Sequence, residues 1–227
     1  KMELITSLSN GVCKITFNRP AVYNSFNKSM ALELQKELDR CAHDDEVRTV
    51  LLTGAGKAFC AGQDLAEATD PNGPELESIV RDHYNPIILK IRALEKPVIA
   101  AVNGVAAGAG ANIALACDLT IATEQASFIQ AFSKIGLIPD TGGTLTLPRL
   151  VGPAKALAWM MLGDKISAEE AERAGLTIGE AFATEGNTFI SGIGSSQQVL
   201  TFLETGDEGD VSDPVELATQ FVVLQIT

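Results

Sequence analysis

KPVIAAVNGVAAGAGANIALACD, residues 96–118, carries no charged side chain between Lys96 and Asp118 and reads in three parts. Residues 97–102 form a short apolar run with β-branched members, the pattern of a buried strand. Residues 103–110 hold three glycines, which suits a turn where one stretch of backbone passes close to another. Residues 111–117 are small and helix-compatible, and Asp118 opens the next segment. A strand that breaks at glycines and re-enters as a helix directs unpaired N–H groups at whatever lies over the turn. That geometry binds an anion or a developing oxyanion. Two plainer readings compete: a packed core helix without chemistry, and a membrane span in which Gly104 and Gly108 imitate a helix-dimerisation motif. Pro97, Asn103 and Asn112 interrupt such a span, much of the stretch is Ala or Gly, and no second candidate exists in the sequence.

Working outward, 227 residues suffice for one full core, with or without an appendage. A content of 46% hydrophobic and 20% charged residues describes an ordinary globular chain. No basic stretch followed by an apolar run marks a signal peptide. Cys13, Cys41, Cys60 and Cys117 are widely spaced and form no CxxC, and the only histidines are His43 and His83, so neither a metal site nor a resident cofactor is expected. The expected location is a reducing cytoplasm. A net charge of −12 argues against a nucleic-acid binder, which presents a basic face. The charge is unevenly placed: all 17 Lys and Arg lie at or before Arg173, whereas residues 174–227 hold eight acids and no base.

Taken in order, residues 3–9 and 12–18 read as two strands around Asn10-Gly11, a strong hairpin signal. Met30, Leu34, Leu38 and Cys41 recur at helical spacing and predict a helix over 28–42, with Asn27 as its N-cap and His43 as a solvated residue at its end. Residues 48–53 predict a buried strand, and residues 59–65 (FCAGQDL) form a second place where backbone donors could be presented. An acid-rich helix over 75–85, restarting at Pro86, would put His83 on an exposed face. Residues 119–122 predict another strand, so the order strand–loop–helix repeats, which favours α/β architecture with a largely parallel sheet. Asp140 stands in a turn-rich segment between Ile138-Pro139 and two glycines. By composition alone it reads as a turn aspartate or helix N-cap. Helices are predicted over 153–162 and 167–174, the latter opened by the capping box Ser167-xx-Glu170.

Together these segments resemble the crotonase (enoyl-CoA hydratase/isomerase) superfamily over roughly residues 3–176. The markers are ITFNRP (15–20), LLTGAGKAFCAGQDL (51–65), the 96–118 stretch and GLIPDTGGT (136–144). The resemblance implies a superhelix of stacked ββα turns with a C-terminal helical region, acyl-CoA as substrate with coenzyme A part of it, and assembly into homotrimers or hexamers. It places the two oxyanion N–H groups on Gln63 and Ala109. Ala61, Gly62, Asp64 and Leu65 would run beside the CoA, Gly108, Phe132 and Pro139 are further CoA- or substrate-binding candidates, and Arg19 is a candidate for the CoA phosphates. The two glutamates with which the family's hydratases activate water correspond here to Asn112 and Phe132, so hydration is disfavoured. Asp140 falls where several of the family's isomerases keep a catalytic aspartate, and a single carboxylate in an apolar pocket suits a one-base proton shuttle. Within the family the motifs look most like the isomerases of phenylacetate degradation, which act on a ring epoxide of phenylacetyl-CoA and also shift enoyl-CoA double bonds.

Residues 177–227 depart from this pattern: the family's strand and closing helices are replaced by a shorter acidic stretch rich in Gly, Thr and Ser. The expected organisation is a core over 1–176 and an atypical tail over 177–227, either a segment that replaces the family's own or a family tail with pieces missing. Only residues 214–224 carry a regular apolar pattern. The leading expectation is an acyl-CoA isomerase. A hydratase-like enzyme using the same oxyanion site is the second, and a catalytically inactive CoA-binding scaffold is the third.

Overall fold

The computed structural model describes residues 2–177 and, in the tail, the backbone of two further strands. By contact density the chain divides into Lys1–Thr177 and Ile178–Thr227. The first unit opens with β1 (Leu4–Ser9) and β2 (Val12–Phe17), paired antiparallel through a turn in which Asn10 takes φ 50°. Asparagine tolerates that left-handed conformation better than other residues with a Cβ. Helix α1 (Lys28–His43) follows. Its Asn27 side chain accepts from the Met30 N–H at 2.9 Å, as the sequence predicts, a cap typically worth about 1 kcal/mol. Met30, Leu34, Leu38 and Cys41 are all buried, and each apolar side chain so covered contributes about 1.5–3 kcal/mol.

Then come β3 (Thr49–Gly54), β4 (Ala58–Cys60), α2 (Leu65–Ala68), α3 (Leu76–Ser78), a π-helical turn (Ile79–Tyr84), α4 (Asn85–Ala93), β5 (Val98–Val102), β6 (Val105–Ala107) and α5 (Ala109–Ala116). The unit closes with β7 (Leu119–Ala122), β8 (Ser127–Ile129), α6 (Gly143–Val151), α7 (Pro153–Leu162), β9 (Lys165–Ser167) and α8 (Ala168–Arg173). Ser167 caps α8 by accepting from the Glu170 N–H at 3.1 Å.

Two sheets result. One has the order β1-β2-β3-β5-β7, the other β4-β6-β8-β9. The pairs β3/β4, β5/β6 and β7/β8 each give one strand to each sheet, and the strands within a sheet run parallel from one pair to the next. This is a ββα superhelix. The segment 103–110, expected to be one turn, contains the short strand β6. Helix α5 is buried at all eight positions, so its small side chains let the surrounding strands close around it.

The acid-rich helix over 75–85 is corrected in one respect. Its middle is a π turn, which holds one more residue per turn than an α-helix and rotates the residues after it inward. His83, expected on an exposed face, is 5% exposed, and burial holds its imidazole below the usual range.

In the second unit, β10 (Val215–Leu217) and β11 (Gln220–Val222) pair antiparallel. The C-terminal helical region implied by the resemblance lies outside the described residues.

Candidate active site

Strands β4 and β6 are parallel neighbours, with Ala58 opposite Val105 and Cys60 opposite Ala106. The loops leaving their carboxyl ends therefore emerge side by side, the place where parallel sheets bind ligands. The first loop is Ala61-Gly62-Gln63-Asp64, and the second is Gly108 leading into α5. They touch: a Cβ built on Gly62, which takes φ 89°, would lie 2.9 Å from the Ala107 carbonyl oxygen and 3.4 Å from the Ala109 nitrogen. Only glycine fits there.

Phe26 sits against the first loop as an isolated parallel bridge. Its N–H donates to the Gly62 carbonyl at 2.7 Å, and its carbonyl accepts from the Asp64 N–H at 2.8 Å. Both bonds go to the residues flanking Gln63, so Gln63 turns its own N–H to the opposite side. Ala109 is the first residue of α5, and a helix offers no partner to its first N–H groups. Neither the Gln63 nor the Ala109 N–H has an acceptor among the described residues. Both residues line one cavity of about 470 Å³.

The wall of that cavity is largely apolar: Val22, Leu76, Ile79, Phe132, Ile135 and Leu137 contribute, with Ala61, Gly62, Asp64, Leu65 and Gly108 at the loops. Its polar side chains are few. The Gln63 side chain is tied at both ends, accepting from the Tyr84 hydroxyl at 2.8 Å and donating to Glu67 at 3.0 Å. Tyr84 is buried, and burial holds its phenol protonated well above the usual range, so it remains a donor.

Of the two carboxylates on the lining, Asp64 is engaged. Arg19 donates to it at 2.7 Å, and it caps α2 through the Ala66 N–H at 3.0 Å. Arg19 also pairs with Glu3 and donates to the Ser25 carbonyl. It is tied into the fold by these partners and is not among the residues that line this cavity. Pro139 is buried beside the Asp140 turn and is not among the residues that line this cavity.

Asp140 is the second carboxylate. It does line the cavity, half-buried, and loss of hydration raises its pKa above the usual range. A hydrogen bond from the Thr141 hydroxyl pulls the other way. The turn that carries it has positive φ at both central residues, 53° at Thr141 and 73° at Gly142, closed by the Gly143 N–H donating to the Asp140 carbonyl at 2.9 Å. Positive φ is costly for β-branched threonine, and strain of this kind collects at functional sites. Asp140 is thus not the N-cap of α6, whose cap position is Gly142.

Asn112, read from the sequence only as a missing glutamate, is fully buried and bonded to the Asp140 turn. Tyr84 belongs to no motif of its own in the sequence. A five-residue step between buried Ile79 and Tyr84, followed by Ile87 and Ile91, breaks the 3.6-residue phase and carries the signal of the π turn. Among the described residues no cluster of His, Cys, Asp and Glu could hold a metal ion, and no helix is long and apolar enough to cross a membrane.

The enoyl-CoA hydratase/isomerase family profile matches residues 7–185. The chain is 50% identical over 179 residues to 1,2-epoxyphenylacetyl-CoA isomerase of Escherichia coli, covering 77% of this chain and 68% of that one. It is 49% identical over 169 residues to a Rhodobacter capsulatus protein named "probable enoyl-CoA hydratase", covering 74% and 65%. The crystal structure of an enoyl-CoA hydratase from Bacillus anthracis superimposes with TM-score 0.72 at 38% identity, covering 78% and 69%. The chain thus spans about two thirds of the length of the relatives it matches.

Proposed function

The chain belongs to the enoyl-CoA hydratase/isomerase family, and from that premise we propose that it is an acyl-CoA isomerase with Asp140 as its single acid–base. The observation that carries this reading is the placement of Asp140. It is the carboxylate on the lining that no cation holds, half-buried, in the same cavity as two unpartnered N–H groups. With a 3-enoyl thioester in the cavity, the Asp140 carboxylate removes the proton from C2. The electron pair passes through the thioester carbonyl to its oxygen, to which the Gln63 and Ala109 N–H groups donate hydrogen bonds. The neutral Asp140 then returns the proton to C4, giving the 2-enoyl thioester. Each fixed donor contributes about 2.7–4 kcal/mol to such a transition state, and one positioned base about 10²–10⁴-fold in rate. A raised pKa brings the carboxyl nearer the working pH for both halves of the shuttle.

The apolar wall suits a hydrocarbon or aromatic acyl group, and the Escherichia coli relative supports ring-1,2-epoxyphenylacetyl-CoA as a further substrate. A place in phenylacetate catabolism follows from that substrate. Hydration is the second reading, and the name of the Rhodobacter capsulatus relative favours it.

The test is a spectrophotometric assay with 3-enoyl-CoA and 2-enoyl-CoA, wild type beside Asp140→Asn. The proposal expects conversion of the 3-enoyl to the 2-enoyl ester without water uptake, reduced at least about 10²-fold in the variant. Water addition to 2-enoyl-CoA that survives the substitution would transfer the assignment to a hydratase.

A further inference from the structure

Asn112 and Gln130 lie outside the mechanism above, yet they form a buried amide chain that ends on the residue carrying it. Asn112 is 0% exposed and Gln130 1%. The Gln130 Nε2–H donates to Asn112 Oδ1 at 2.8 Å, and the Asn112 Nδ2–H donates to the backbone carbonyl of Asp140 at 2.9 Å. The direction of the chain is fixed by chemistry. A carbonyl can only accept, so Asn112 must present its NH₂ to Asp140, which leaves its oxygen for the Gln130 NH₂.

The Asp140 carbonyl accepts a second bond, from the Gly143 N–H, so both its lone pairs are held. The contact is close enough that a Cβ on Gly143 would come within 2.3 Å of Asn112 Nδ2. The Asp140 turn therefore rests directly on the Asn112 amide. Gln130 Oε1 has no partner among the described residues, so Asn112 supplies the hydrogen bond that orients the Gln130 amide.

Asn112 stands three residues after Ala109 on α5, one turn along the same face. One rigid, fully buried helix thus carries the oxyanion donor at its first residue and the support of the base at its fourth. From this arrangement we infer that Asn112, oriented with Gln130, is a positioning residue: it sets where the Asp140 carboxyl stands relative to the thioester oxygen. The inference rests on the reading of Asp140 as the base.

The amide chain touches the backbone of Asp140 and not its carboxyl, so its removal acts on placement. The titratable group facing Asp140 from the π turn is Tyr84, and the hydroxyl on its own turn is Thr141. Both remain when Asn112 is changed.

The test compares Asn112→Leu and Gln130→Met, which keep the branching of Asn112 and the length of Gln130 without their hydrogen bonds, with Asp140→Asn and the double variant Asn112→Leu/Asp140→Asn. Isomerisation of 3-enoyl-CoA is followed across pH, with thermal midpoints recorded for each variant. Displacing a catalytic group by about 1 Å costs on the order of 10²-fold. Asn112→Leu should therefore lower kcat by about that factor with KM within about twofold, and shift the acid limb of the pH profile as the carboxyl leaves its half-buried seat. Gln130→Met should give a smaller loss in the same direction. In the Asp140→Asn background, Asn112→Leu should have no further effect on kcat, because neighbours acting through one group are not additive. A kcat and pH limb at wild-type values in both folded single variants would overturn the inference. So would an additive loss in the double variant. If Asp140→Asn itself keeps full turnover, the reading of Asp140 as the base fails, and this inference fails with it. If only Asp140→Asn is inactive, the base stands and the positioning role falls. Should Asn112→Leu not fold, Gln130→Met alone decides by the same kcat and pH criteria.

Discussion

Ala109→Pro removes one hydrogen atom from the proposed oxyanion site and asks little of the fold. Proline has no N–H, and the Ala109 N–H has no acceptor among the described residues, so no hydrogen bond within the protein is lost. Position one of a helix is where proline is favoured, its fixed φ matching the helical value. The preceding residue is Gly108 at φ 52° and ψ −125°, the mirror image of an extended conformation, which glycine adopts before proline without a Cβ clash. Stability should therefore change by no more than about 1 kcal/mol, or about 2–4 °C in midpoint for a unit of this size. Proline in the interior of α5, as in Ala114→Pro, would by contrast cost about 3 kcal/mol or more. Catalysis should not be spared. Loss of one oxyanion donor costs about 2.7–4 kcal/mol, equivalent to roughly 10²–10³-fold. The proline Cδ, replacing the hydrogen, also crowds the thioester oxygen, so the loss falls on kcat/KM. The assay pairs the initial rate of 3-enoyl-CoA isomerisation with differential scanning calorimetry. A variant whose kcat/KM stays within threefold of wild type would refute the oxyanion role of Ala109. A midpoint lowered by ten degrees or more would show that this N–H supports the fold.

Thr141→Val keeps the β-branched shape at φ 53° but removes the hydroxyl that donates to the Asp140 carboxylate. That bond favours the charged form, so its loss should raise the Asp140 pKa further. The acid limb of kcat/KM should move to higher pH, with the deficit largest on its acid side; a limb that stays in place or moves down would contradict this. Asp140→Asn should also stabilise the fold at neutral pH, because the wild-type carboxylate is ionised against a loss of hydration. For an acid whose folded pKa is raised, the folded state binds more protons between the ordinary and the raised value. Wild-type stability attributable to this group therefore falls as pH rises through that window. The advantage of the asparagine variant in urea midpoint should be full above the raised pKa and vanish below the ordinary aspartate range. An advantage that does not depend on pH would mean that the site does not strain the charge.

The elements that position the site were legible where local chemistry and packing agree. Asn27 signals the start of α1 by its side-chain oxygen, and the apolar recurrence every three or four residues from Met30 to Cys41 marks the face that is buried. The glycine-broken stretch 96–118 folds as a strand, a break and a helix with an unpartnered N–H at Ala109. The features that stayed hidden depend on partners distant in sequence. Arg19 looks like a free cation in ITFNRP, but only the fold brings Asp64 to it, 45 residues later. His83 looks exposed on an α-helical wheel, and the π turn, which no single residue announces, turns it inward. Asn112 illustrates the limit most clearly. The sequence shows that it is not a carboxylate, whereas its amide bonds to Gln130 and Asp140 exist only after three separate elements have packed.

That difference bears on how one scaffold can host different reactions. A pair of unpartnered backbone N–H groups such as those of Gln63 and Ala109 is placed by loop geometry and by glycines such as Gly62, so it survives exchange of the surrounding side chains. Acid–base chemistry depends on those side chains. At position 112, an ionised carboxylate would have to sit at 0% exposure against the Asp140 carbonyl, which also can only accept. Both facts oppose a charge there while the Asp140 turn keeps its present position. An amide at that point reverses the requirement: its NH₂ meets the carbonyl, and the turn can close down on it until Gly143 leaves no room for a Cβ. An amide at position 112 therefore does more than leave a carboxylate out of the site. It supplies the contact on which the aspartate turn rests, so the absence of a carboxylate at position 112 and the placement of the one at Asp140 follow from the same residue.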